Sequence, residues 1–184
     1  MGSIMAKTGK SLMFAGILFA ALLAIGFMSI KSSDYKDVSS LKSLGYEAYV
    51  TVRGTPVNLA GGSYLLRIGD TVYSMKGFGS YGVAERVNGP PFGNDDSYAV
   101  FVLEGKDGFR VVALYSANEF KNLYGGSPSV SSRVVVEGRY EPSVHVIIMN
   151  TATGEVEEYP LLMVSKILEG CHESYQAPAG RLES

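Results

Sequence analysis

A chain of 184 residues with sixteen Lys and Arg against eighteen Asp and Glu has a formal net charge of −2. It therefore lacks the basic footprint that DNA or RNA binding demands. At 46% apolar and 18% charged residues, it is neither disordered by composition nor strongly charged. A single cysteine excludes an intramolecular disulfide framework and a cysteine-rich zinc site.

In chain order, residues 1–10 form a short N-terminal tail, and "SLMFAGILFAALLAIGFMSI" then runs from Ser11 to Ile30 without a charge. As a helix it spans about 30 Å, the thickness of the hydrocarbon core. Ten of its residues are Leu, Ile or Phe. It exceeds the apolar region of a signal peptide, and "IKSSDYKD" after it has no A-x-A-like cleavage site, so an uncleaved single-pass anchor is expected. Lys7, Lys10 and the terminal amine on one side balance Lys31, Lys36 and Lys42 on the other, so charge does not orient the anchor. Residues 31–44, polar and serine-rich, read as a tether.

A β pattern follows over residues 45–170. "YEAYVTVRG" alternates like a half-buried strand, and "SYLLRIGDTVYSM" holds two short runs around a turn at Gly69-Asp70. Residues 77–97, rich in Gly, Pro and Asn, read as a long loop. "YAVFVLEGKDGFRVVALYS" is a hairpin turning at Lys106-Asp107-Gly108. "ANEFKNLYGG" is a short helix with Phe120, Leu123 and Tyr124 on one face and Gly125 as its stop. "SRVVVEGRY" and "VHVIIMN" are two further strands; after a turn at "TATGE", "YPLLMVSKIL" is the last. This order predicts an all-β fold, a small antiparallel OB-like barrel with one short helix, preceded by a transmembrane helix. An immunoglobulin-like sandwich is the rival, disfavoured by the mid-chain helix and the absence of a Cys…Trp…Cys pattern. No Gly-rich phosphate loop, GxSxG elbow or HExxH helix is present, so no familiar enzyme constellation emerges.

The chemistry concentrates in residues 171–184, read as a flexible tail. Cys171-His172 resembles the end of a C-x-x-C-H haem-attachment signature, but position 168 is Leu168. Polar, turn-prone neighbours predict an accessible thiol at a strand exit, with His172 able to promote thiolate when protonated. Tyr175 follows four residues on. In a helical turn it shares a face with Cys171, and in an extended segment it points the same way about 13 Å off, so one flat ligand can meet both. A phenolate is a known haem-iron ligand. His145, opposite Val144 and Val146, reads mainly as a surface histidine.

An N-terminal anchor, an OB-type barrel, and Cys171-His172-Glu173-Ser174-Tyr175 after the last strand together resemble the extracytoplasmic haem chaperones of cytochrome c maturation, the CcmE family. That family usually carries H-x-x-x-Y, and a variant branch carries C-x-x-x-Y. Pro178 lies in the tail, where the family is proline-rich, and "NEFKNLYGG" and "SRVVVEGRY" resemble the family's helix and following strand. The similarity covers most of residues 45–180, apart from the Gly-rich segment at 77–97. The resemblance implies a non-enzymatic carrier that holds haem covalently and transiently through Cys171, with Tyr175 as the axial iron ligand. His172, one place out of register with the family's histidine, is a second candidate contact to thiol or iron. It further implies an extracytoplasmic domain at the cell membrane. Its partners would be membrane haem-delivery and cytochrome c maturation proteins, and the apocytochrome c or haem lyase that takes the haem. A membrane-tethered OB-type interaction module without haem is the alternative.

Overall fold

The computed structural model describes residues 35–59 and 61–173. The expected anchor over residues 11–30 and Tyr175 lie outside them. The chain divides into two units, residues 1–34 and 35–184, and all described residues belong to the second. Among the described residues no helix is long and apolar enough to cross a membrane.

The described residues form an all-β, barrel-like fold with one short α-helix. Its strands are β1 (Lys36–Asp37), β2 (Ala48–Pro56), β3 (Ser63–Ile68), β4 (Thr71–Gly77), β5 (Gly82–Asn88), β6 (Ser97–Glu104), β7 (Arg110–Ser116), β8 (Ser129–Asn150) and β9 (Val156–His172). The helix α1 (Ala117–Tyr124) joins β7 to β8, and a 3-10 helix spans Val38–Ser43. The hairpins around Gly69-Asp70 and Lys106-Asp107-Gly108 and the turn at Thr151–Gly154 stand where the sequence placed them.

Hydrogen-bonded neighbours close a ring. β2 pairs with β6 and with β8, β6 with β7, β7 in parallel with β9, and β9 with β8. Strands β3, β4 and β5 are inserted between β2 and β6 and close a second ring, since β3 pairs with β8 and β5 with β6. The length of β8 makes this possible. Its first half, Val134–Tyr140, pairs with β2, and its second half, Val146–Asn150, pairs with β3. The register against β9 shifts between Glu141 and His145, beside Pro142, which has no N–H to give to a ladder.

Two cores result, one in each ring. Side chains alternate across β6 and β7: Ala99, Phe101, Leu103, Val111, Ala113 and Tyr115 enter the first core, while Tyr98, Val100, Val102, Val112 and Leu114 enter the second. Burial on both faces is why these two strands read as nearly unbroken apolar runs.

Three expectations are corrected. The segment 77–97 is not a single loop, because it contains β5, paired with β4 and β6. Its exposed end, Glu85–Asn88, and its flanking glycines hid the strand. The strands expected over "SRVVVEGRY" and "VHVIIMN" are one strand, β8, bent by bulges rather than interrupted. The tether reading of 31–44 fails from Lys36 onward. There β1 pairs with β2, and Val38 and Leu41 are fully buried in the first core.

Candidate functional site around Cys171

Two side chains of helix α1 meet the first core, Phe120 and the partly buried Tyr124. Phe120 is its buried residue, facing the first core. Gly125, at φ 77, ends the helix in a conformation other residues rarely adopt, and its N–H donates to the carbonyl of Lys121 at 2.9 Å. Around Phe120 lies a cluster of rings: Tyr81 at 5.3 Å between centroids, Phe101 at 5.6 Å, Tyr124 at 5.3 Å and Tyr115 at 6.5 Å. Such edge and tilted pairs stabilise beyond simple burial. Phe78, 55% exposed, stacks on the outer side of Tyr81 at 5.7 Å.

Cys171 belongs to the same core cluster and is 7% exposed. This corrects the expectation of an accessible thiol at a strand exit. β9 does not end at Leu168; it runs to His172, with Cys171 opposite Val130 and His172 opposite Ser129. Burial pushes the thiol up from 9.0 to about 12, so the folded protein holds it protonated. Burial also raises the Tyr81 and Tyr124 hydroxyls, and the nearness of Cys171 adds to both shifts. His172 is the next residue along the strand, on its opposite face, and is exposed. It does not share the thiol's pocket, so its expected help in forming thiolate is overturned as well.

Beside this cluster, an open groove of about 400 Å³ runs between α1 and strands β5 and β6. Tyr81, Val83, Ala99 and Phe120 give it an apolar floor, and Lys121 and Glu85 contribute charge. Tyr81 thus lines the groove and lies near Cys171, and Phe120 lines the groove and belongs to the same core cluster. Helical spacing marks Phe120 and Tyr124 in the sequence. Tyr81 escapes that signal, because it lies in the segment expected as a loop; the aromatic pair Phe78 and Tyr81 among glycines is the one cue to it.

The other expected residue, His145, falls elsewhere. His145 is a surface residue, its Nδ1 2.8 Å from Oε1 of Glu158. Phe101 and Tyr115 are core, whereas Tyr46 and Tyr49 are exposed. Among the described residues no group of three His, Cys, Asp or Glu is placed to hold a bare metal ion. Comparison with protein-family models, with curated proteins and with solved structures found no match to this chain.

Proposed function

We propose that the chain is a membrane-anchored haem carrier for c-type cytochrome maturation, built on an OB-type barrel. Support for the barrel type comes from the first ring. Numbered along the chain without the inserted strands, its order is 1-2-3-5-4 and back to 1, with the helix between the third and fourth strands and a parallel pair between the third and fifth. One observation carries the functional reading. The only cysteine lies at the end of the fifth strand of that ring, four residues before Tyr175, in the same core cluster as Phe120 and near Tyr81, which lines the groove.

The residues present fit haem in kind. A thiol suits covalent attachment to a vinyl group, an apolar aromatic floor suits a porphyrin face, and the Lys121 ammonium suits a carboxylate side chain. Haem, when bound, supplies the iron and the vinyl groups. The chain supplies position: Cys171 fixes the attachment point at the barrel's edge, Phe120 and Tyr81 keep the adjoining surface dry, and Tyr175 offers a phenolate for iron ligation. His172, out of the pocket, is assigned no direct role. The anchor holds the carrier at the membrane, where delivery and acceptor proteins meet it.

The test is haem staining on a denaturing gel after expression of the full chain with a competent maturation system. Wild type should carry a covalent haem band, and Cys171→Ala should lose it. His172→Ala should keep it, and Tyr175→Phe should keep the bond with an altered absorption spectrum. Equal staining of Cys171→Ala and wild type sinks the assignment. Absence of any band with competent partners favours the interaction module.

A further inference from the structure

The buried thiol poses a mechanical question that the β8–β9 ladder answers. Up to Glu169, opposite Val135, β9 is anchored by large apolar side chains, Leu161, Leu162 and Ile167 among them. Pairing then breaks. Cys171 is opposite Val130 and His172 opposite Ser129, so four residues of β8, Ser131–Val134, bulge against Gly170 alone. Gly170 sits at φ 93, and a Cβ there would lie 2.2 Å from the carbonyl oxygen of Arg133 and 2.9 Å from the Cα of Val134. Only glycine fits, both for its backbone angle and for this approach of two main chains. Beyond it, among the described residues, two residue pairs and one small side chain hold the strand end down.

We propose that Cys171 and His172 form a strap hinged at Gly170, which lifts off β8 as a unit and uncovers the thiol while the rest of the barrel stays folded. The bulge isolates the last two pairs from the main ladder, so opening breaks none of the pairing that ends at Glu169. Lifting Cys171 also vacates its place near Tyr124 and near Tyr81, a ring that lines the groove. One movement therefore exposes the thiol and widens the apolar surface next to it. Closed, the strap shields the thiol from oxidants. The strap is a property of the free protein; its purpose, presenting the thiol to an apolar ligand, rests on the haem-carrier reading.

With one cysteine in the chain, thiol labelling reports the strap directly. The full chain in detergent micelles is reacted with Ellman's reagent at pH 8 across urea concentrations below global unfolding. Wild type should label at least a hundredfold slower than the urea-unfolded chain, at a rate nearly independent of urea, as expected for local opening. Gly170→Ala, which strains the closed strap, should label at least tenfold faster than wild type. Labelling that follows urea with the slope of global unfolding overturns the strap, as does wild-type labelling at the unfolded rate. An unchanged rate in a folded Gly170→Ala variant overturns the hinge. The two readings separate cleanly: urea-independent labelling without a haem band removes the carrier and keeps the strap. A haem band with labelling that tracks global unfolding does the reverse.

Discussion

Phe120 meets Tyr81, Phe101, Tyr115 and Tyr124 within 6.5 Å between centroids, and is the only buried side chain on α1. An eight-residue helix is too short to stand on its own propensity, so its docking depends on this ring. The N-terminus adds little: Ser116 makes no side-chain cap, its hydroxyl pairing with Asp95 at 3.2 Å instead. Phe120→Ala should therefore cost about 3–5 kcal/mol, the range for a large aromatic removed from a packed core. Phe120→Leu, which refills most of the volume, should cost roughly half of that or less. Urea unfolding followed by circular dichroism measures both. A loss below about 1 kcal/mol in Phe120→Ala means the helix docks by some other contact. The same substitution removes part of the groove floor, so on the proposed haem-carrier reading haem staining should weaken in Phe120→Ala even where the protein is folded.

Among the elements, the 3-10 helix at Val38–Ser43 shows what a single carboxylate does at a junction. One Asp37 oxygen accepts the Ser39 N–H at 3.0 Å and the Lys106 N–H, also at 3.0 Å, capping the turn and pinning it to the β6–β7 hairpin. Partial burial raises the Asp37 carboxyl, but the hydrogen bonds from Ser39 and Lys106 outweigh it and leave it below its ordinary value of 3.8. A depressed carboxylate stabilises above its unfolded pKa and loses that contribution as pH falls through its folded pKa. Asp37→Ala should thus cost about 1–2 kcal/mol at pH 7, as caps do, with the gap from wild type narrowing below about pH 4. Urea titrations at pH 7 and pH 3 test this, and a gap that is constant with pH refutes the carboxylate's role. This junction was hidden in the sequence because "SSDYKDVSSLKS" is polar overall, and two buried residues, Val38 and Leu41, do not make a pattern. Hairpins and α1 were legible because their signals are local: β-branched runs, a Gly-marked turn, apolar spacing ended by Gly125. What escaped depends on distant partners. β5 lacks alternation over its exposed end, and the register of Cys171 is set by Val130, forty-one residues away in sequence. Local polarity predicted an exposed thiol; pairing with β8 buries it.

For the described molecule as a whole, the two cores share their walls. On β6, Phe101 enters one core while its neighbours Val100 and Val102 enter the other, and Leu161 and Leu162 divide in the same way on β9. A strand cannot lose one face and keep the other, because its ladder hydrogen bonds are common to both. The two rings should therefore unfold together, although each has its own apolar cluster. Truncating Phe101 to Ala in the first core, or Leu114 to Ala in the second, should lower the same urea midpoint, by about 2–5 kcal/mol of stability each. Tyrosine fluorescence and far-ultraviolet circular dichroism should remain superimposable in both variants, the signature of one cooperative transition. Separate transitions, with Leu114→Ala unfolding only the ring that contains β3, β4 and β5, disprove the shared-wall account. Thiol labelling is the probe expected to depart from this behaviour in the wild-type chain, because the bulge at Gly170 separates the strap from the main β8–β9 ladder. Cooperative everywhere except at the end of β9, the fold concentrates its low-energy opening on the two residues that carry and follow the thiol. The proposed haem carrier would need that distribution, with a rigid platform for the ligand and freedom only at the proposed attachment point.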